Sequence, residues 1–322
     1  MFSRLAELRW GYVGYGAKAA SLHQDISTDH FALTRLRLPE MPADSVRFAL
    51  MPLSGKNATS LIVTSRSNSR VKQLRAAFAG QARLSGGLVA IEGDHLLTEA
   101  LRSGMVLKTV FVSERRSVPS IVPRGVEVLT LTDEVFAGAV ETQSPQGIAA
   151  LLAPVIPNIE AVLHGTPLIL VAAGLQDPGN LGTLVRSAEA FGATGVLTTP
   201  GTVSAWNQKA IRASVGSIFR MPVVAAIAAE VAALKPHGIR LLAAVGSDDF
   251  NPTDAQKIDL SGPTALLIGN EGAGLTAEWM EMADKHVTIP CPGPVESLNA
   301  AIAGSLLLYE ASRQRSRRRS QP

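Results

Sequence analysis

From Thr59 onward, short continuous apolar runs alternate with stretches whose apolar residues return every three or four positions. The first rhythm predicts buried strands, the second amphipathic helices. Ser67 or Asn68 opens a helix carrying Val71, Leu74, Ala77 and Phe78 on one side, since either side chain can cap. Leu88 to Ile91 predicts a strand, and Glu92-Gly93 turns into a helix that runs to about Ser103 and stops at Gly104. Strands follow at Leu107 to Val112 and Val126 to Leu131, a short helix at Asp133 to Val140, and a strand at Gln146 to Leu152. Pro154, Pro157, Gly165 and Pro167 then mark a linker.

Beyond the linker the alternation is more regular. Strands are predicted at Leu168 to Ala172, Gly195 to Thr199, Val223 to Ala226, Arg240 to Val245, Ala265 to Ile268 and His286 to Ile289. Helical patterns lie at Asn180 to Phe191, Asn207 to Phe219, Ala228 to Leu234 and Thr276 to Met282, with a long last helix from about Leu298 to Arg315. This order implies an α/β protein whose second sheet is mostly parallel and covered on both faces. The domains expected are 58–153 and 167–316, joined by 154–166 and followed by a basic tail, 317–322. Residues 1 to 57 show no sustained period and read as a poorly ordered extension, with Met51 an alternative start. Glu7 and Asp25 argue against a transit peptide there.

Composition narrows the class. A chain of 322 residues suits two domains, and 46% hydrophobic against 18% charged residues describes a packed globular protein. No apolar run approaches the ~18 residues of a membrane span. The single cysteine, Cys291, excludes an internal disulfide and fits a reducing compartment, with cytoplasm the expectation. Net charge is only +3 but uneven: Asp44 to Glu92 encloses no acidic residue, while Arg66, Arg70, Lys72 and Arg75 fall there. Arg313, Arg315, Arg317, Arg318 and Arg319 form a second cluster. Such clusters are either an electrostatic footprint for phosphate or a solvated face.

Three polar loops carry the candidate chemistry, each following a predicted strand. Asp177 to Gly192 holds a turn and a helix start, with Asn180 placed to cap it and Arg186 off the buried stripe. Gly269 to Gly274 holds three glycines and Glu271, a loop that lets backbone approach a phosphate or a nucleoside. Its spacing is not Gly-x-Gly-x-x-Gly, which disfavours a dinucleotide fold. Ile289 to Asn299 is stiffened by Pro290, Pro292 and Pro294 and brings Glu296, Ser297 and Asn299 to the last helix, Ser297 being its expected cap. Neither Ser297 nor Cys291 has the setting of a nucleophile, and His95, His164 and His286 lack metal-ligand spacing.

Together these loops resemble the signature motifs of the SpoU/TrmH family of RNA ribose 2′-O-methyltransferases. Asn180, Gly182, Arg186 and Ala188 match its first motif, Gly269, Glu271, Gly272 and Gly274 its second, and Ile289, Pro290, Ser297, Leu298 and Asn299 its third. More softly, Ile91-Glu-Gly and Ser144-Pro-Gln-Gly make residues 59 to 153 resemble that family's L30e-like RNA-binding unit. The resemblance implies a SPOUT domain with a deep trefoil knot, a homodimer, and S-adenosylmethionine held by Gly269, Asn270, Gly272, Ile289 and Leu298. It implies Arg186, Asn180, Glu271, Ser297 and Asn299 as the catalytic set, and Arg66, Arg70, Lys72 and Arg75 as RNA contacts. Arg186 acts in family proposals as base or as phosphate anchor. A guanidine of pKa above ~12 is a poor base, which favours anchoring. Ribosomal RNA is favoured over transfer RNA, and a non-catalytic ribosome-assembly factor or a nucleotide-dependent enzyme remain as other readings.

Overall fold

The computed structural model describes residues 62–246, 251–294 and 297–319. The expected extension, Glu296 and the last three residues lie outside the described residues. Ala58–Pro322 form one compact unit built on two sheets.

The first sheet has four strands, β1 (Val89–Glu92), β2 (Leu107–Ser113), β3 (Glu127–Leu131) and β4 (Ile148–Leu152), in the order β1-β4-β2-β3. β4 runs antiparallel to β1 and β2, and β3 parallel to β2, so the sheet is mixed. Helices α1 (Ser69–Phe78), α2 (Ala82–Ser85), α3 (Asp94–Arg102) and α4 (Asp133–Ala137) accompany it. Asn68 caps α1, its Oδ1 accepting from the amides of Arg70 and Val71. The predicted stripe packs as expected: Val71, Leu74, Ala77 and Phe78 are buried against Phe111, Leu131, Phe136 and Leu151.

The second sheet has seven parallel strands: β5 (Leu168–Ala172), β6 (Gly195–Thr198), β7 (Val223–Ala225), β8 (Arg240–Ala244), β9 (Thr253–Asp254), β10 (Thr264–Ile268) and β11 (Lys285–Thr288). Their order is β7-β6-β5-β10-β8-β11-β9. Early strands spread one way from β5 and late strands the other, so the direction of winding reverses between β5 and β10. The helices are α5 (Pro178–Ala190), α6 (Gln208–Ser214), α7 (Ala228–Ala232), α8 (Ala277–Met282) and α9 (Ala300–Arg319). β5 and β10 are buried throughout, as strands covered on both faces must be.

Four expectations change. Asp177, not Asn180, caps α5: its Oδ1 accepts from the Asn180 amide at 2.9 Å, and Pro178 takes the first turn, where its missing N–H costs nothing. Asn299, not Ser297, caps α9, its Oδ1 accepting from the amides of Ala301 and Ile302. The helix predicted at 207–219 breaks at Val215 (φ 52) and Gly216 (φ 91) into α6 and a 3-10 turn, Ser217–Phe219. A Cβ at Gly216 would lie 2.7 Å from Glu99 Cβ, so the break brings this segment onto α3. Finally, two arginines of the last cluster are structural. Arg315 donates to the carbonyls of Thr166, Pro167, Leu260 and Gly262, and Arg313 pairs with Glu310. An arginine satisfied by four carbonyls closes loops at the sheet's other edge and is not a free phosphate contact.

The two sheets meet without a gap. Gln208 donates to the Ala90 carbonyl on the edge strand β1, which closes an otherwise open edge. Arg220 bridges Glu99 of α3 and Glu189 of α5 at 2.7 and 2.5 Å. No helix among the described residues is long and apolar enough to cross a membrane.

Candidate active site

All three polar loops leave the C-terminal edge of the parallel sheet, after β5, β10 and β11. Such edges gather ligands where the winding direction reverses, because diverging crossovers leave a crevice there. A chain of hydrogen bonds joins the loops across that crevice. Glu271 accepts from Asn180 Nδ2 at 2.9 Å and from the amides of Gln176 and Asp177 at 3.3 and 3.1 Å. Asn180 Oδ1 in turn accepts from Asn299 Nδ2 at 3.1 Å. One carboxylate after β10, one amide on α5 and one amide opening α9 therefore hold each other.

The loop after β10 is tight by necessity. A Cβ at Gly269 would fall 2.3 Å from the Gly274 carbonyl carbon, and the amides and carbonyls of Asn270 and Gly274 pair in both directions at 3.0 Å. Asn270 fixes the loop from within, accepting from the amides of Gly272 and Ala273 and donating to the Gly174 carbonyl. Burial works against the charge on Glu271, but the Asn180 amide and the backbone N–H groups around it outweigh that and lower its pKa. With both oxygens engaged as acceptors, this carboxylate is suited to ordering the loops and poorly placed to take a proton. The pKa of Asp177 is lowered as well, first by Lys209 at 2.7 Å and then by the Asn180 amide.

Beside the network lies a cavity of about 520 Å³. Gly269, Asn270, Glu271, Gly272, Ile289, Ser297 and Leu298 all line it. Its remaining side chains are mainly apolar, including Ile268, Met280, Val287 and Leu307, with Thr288 and Cys291 among them. A small flat ligand with apolar faces and polar edges fits walls of that kind, the backbone groups supplying the edge contacts. Asn180 and Asn299 belong to the network and not to the cavity wall. Arg186 stands apart from both: it is exposed and, among the described residues, makes no hydrogen bond or ion pair. Seven residues after Gly179, it returns to the same stripe of α5 about 10 Å further along.

The SpoU rRNA Methylase family description matches residues 167–309, and the MRM3-like substrate binding domain matches residues 68–150. Over 248 residues the chain is 35% identical to the 23S rRNA (guanosine(2553)-2′-O)-methyltransferase RlmP of Bacillus subtilis, covering 77% of this chain and 97% of that one. The chain belongs to the SpoU family of RNA 2′-O-methyltransferases. Among solved SpoU structures, AviRb from Streptomyces viridochromogenes in complex with AdoMet superposes with a TM-score of 0.69 at 28% identity, covering 77% of this chain and 98% of that one. An AdoMet-bound rRNA methyltransferase from Sinorhizobium meliloti gives 0.69 at 30% identity, covering 78% and 97%.

In this SpoU protein the four arginines and lysines expected to meet RNA are not equivalent. Arg66 pairs with Glu134 and Arg70 with Glu127, both at 3.0 Å. Lys72 and Arg75 are exposed and unpaired among the described residues. Sequence reasoning missed Asp177, Lys209 and Thr202. The Asp-Pro step was a legible signal for Asp177, since proline at the first helical position makes the preceding residue the cap. Thr202 had no local signal: its hydroxyl donates to the Ala172 carbonyl and accepts from the amides of Gly174 and Leu175, contacts made across 27 to 30 residues of chain.

Proposed function

We propose that this protein transfers a methyl group from S-adenosylmethionine to a ribose 2′-hydroxyl of structured ribosomal RNA. The observation that carries the reading is the Glu271–Asn180–Asn299 chain beside the 520 Å³ cavity. Gly269, Asn270, Gly272, Ile289 and Leu298 are the residues that would hold the cofactor, which supplies an electrophilic methyl group. The protein's part is positioning, because a ribose hydroxyl is a weak nucleophile that must approach in line. Arg186, unneutralised on α5, would grip the phosphate beside the target ribose and stabilise negative charge developing on the 2′-oxygen. Glu271 would keep Asn180 and Asn299 in place, and Ser297 would order the cavity mouth.

The same reading includes features of the family. The chain between β10 and α9 would form a deep trefoil knot, the first sheet with its helices (58–153) would be an L30e-like RNA-binding unit, and 154–166 the linker to a catalytic domain at 167–316. A homodimer is supported by the α9 stripe Ile302, Leu306 and Tyr309, all exposed at helical spacing. One cysteine suits a reducing compartment such as the cytoplasm. The test is to incubate the protein with labelled S-adenosylmethionine and unmodified large-subunit ribosomal RNA made by transcription, then map 2′-O-methylation. One modified ribose is the expected result. Label appearing on bases, or on no RNA while S-adenosylhomocysteine still binds, would end the proposal.

A further inference from the structure

A second cavity, also of about 520 Å³, opens at the same sheet edge two strands away from the first. Its floor is the end of β6 and β7, its near wall the loop 199–206, and its far wall the segment that leaves the first sheet, Val155 and Ile156. The wall side chains have two characters. Ile156 and Ile227 are 87% and 55% exposed, far more open than isolated apolar residues need be, and Trp206 stands beside them, braced by a stacked Phe219 at 6.5 Å and 25°. Thr198 and Ser204 add hydroxyls, and Glu230 a carboxylate that uses one oxygen to accept from the Ile227 amide.

Three observations identify the occupant. The loop that forms the near wall is fastened to the catalytic loop, since Thr199 and Thr202 hydroxyls accept from the Gly174 amide and Val203 donates to the Leu175 carbonyl. The same loop runs directly into α6, whose exposed Lys209 and Arg212 lie one turn apart, and Lys209 reaches Asp177 beside Asn180. The far wall is the chain that joins the two sheets. Apolar walls with a polar rim, on a loop that leads into the cations of α6 and on the path between the sheets, match a nucleobase on its sugar-phosphate strand. Aromatic braces of this kind bind bases by stacking, with little demand on sequence.

We infer that this cavity receives a nucleobase next to the target nucleotide, splayed out of the RNA so that the neighbouring ribose can enter the catalytic crevice, with the exposed Arg212 on an adjoining phosphate. The inference rests on the RNA reading above, and it adds a subsite that orients the strand without touching the reacting atoms. Filling the cavity from the exposed end of β7 with Ala225→Phe, or removing the platform with Trp206→Leu, raises KM for transcribed ribosomal RNA about tenfold. The affinity for S-adenosylhomocysteine, and kcat at saturating RNA, stay within about twofold of wild type. Wild-type KM in either folded variant overturns the inference.

A binding measurement separates the two claims. A single-stranded RNA hexanucleotide quenches tryptophan fluorescence, its abasic counterpart does not, and Trp206→Phe removes the quench. Equal quenching by both strands, or a quench that survives Trp206→Phe, sinks the base subsite whatever the enzyme methylates. Quenching without any methyl transfer to RNA retains the subsite and rejects the catalytic reading.

Discussion

The loop-bearing edge of the second sheet and the surface formed by α1 and the turn before it are both polar and carry arginine, and they are built on opposite plans. At the edge that carries the three polar loops the side chains bind one another across 91 to 119 residues of sequence, and Arg186, an exposed cation unpaired among the described residues, stands out from a fixed frame. On and just before α1 the pairing stays among the elements of the first sheet: Arg66 and Arg70 meet Glu134 and Glu127 there, and among the described residues no network joins them to Lys72 or Arg75. A frame that is satisfied before substrate arrives needs no reorganisation on binding, the condition for electrostatic stabilisation of a transition state. A face of separate, exposed cations supplies attraction to phosphate without fixing its position.

The sharpest test of that contrast lies within the loop-bearing edge. Arg186→Ala removes a side chain without partners among the described residues, so thermal stability and S-adenosylhomocysteine affinity should hold while methyl transfer falls about 100- to 1,000-fold. Glu271→Ala removes an acceptor of three hydrogen bonds, so transfer should fall at least as far and cofactor affinity should fall with it. If Arg186→Ala lost cofactor binding, or Glu271→Ala kept it, frame and free cation would not be separate parts.

Packing under the frame predicts the next largest effect. A Cβ at Gly182 would lie 2.3 Å from the Ala210 carbonyl oxygen and 2.7 Å from Ala213 Cβ. Backbone cannot yield there as a flexible side chain would, so Gly182→Ala should force α6 away from α5 and destabilise by about 3 kcal/mol. Chemical denaturation reads that directly. A loss below about 0.5 kcal/mol, the range of an ordinary surface change, would show that the α5–α6 contact is slack.

Acid should reach the frame through two carboxylates. Glu271 and Asp177 both have lowered pKa values, Glu271 because its hydrogen bonds outweigh desolvation and Asp177 chiefly through Lys209. A carboxylate with a folded pKa below its unfolded one stabilises fully above the unfolded value, near pH ~4. That stabilisation is lost as pH falls through the lowered folded values. S-adenosylhomocysteine affinity should therefore be flat from pH 8 to about 5 and fall only below ~4, with a shallower fall in Glu271→Gln. A midpoint near pH 6 in the wild type would point to some other group.

How far the chain discloses this is itself uneven. The strands of both sheets were legible because continuous apolar runs such as Leu168 to Ala172 are buried on both faces. The seven cavity residues were legible as motifs. What escaped was non-local. The two-residue strand β9 pairs only with β11 and has no pattern long enough to detect. The break at Val215 and Gly216 sets this segment against Glu99, more than 100 residues earlier, and Gly216 was its one local signal. Arg315 looked like its neighbours until its four carbonyl partners became visible. Local periodicity sees burial; it does not see which polar groups find one another.

The smallest expected effect separates the paired cations at α1, Arg66 and Arg70, from the unpaired Lys72 and Arg75. A lysine or arginine that neutralises one phosphate releases about one counterion, so its removal lowers the slope of log affinity against log salt by about 1. Lys72→Ala and Arg75→Ala should each do so, because neither group has an acidic partner among the described residues to give up. Arg66→Ala and Arg70→Ala leave Glu134 and Glu127 unpaired. The formal charge removed is the same, but an arginine already shared with a carboxylate holds a phosphate less tightly. Their slopes should shift by well under 1, with affinity falling about twofold through repulsion from the freed carboxylates. Binding of transcribed ribosomal RNA across ~50 to 200 mM salt reads both quantities. Four equal slope changes would mean that the Arg66–Glu134 and Arg70–Glu127 ion pairs dissolve when RNA arrives, and the two surfaces would then differ in degree and not in plan.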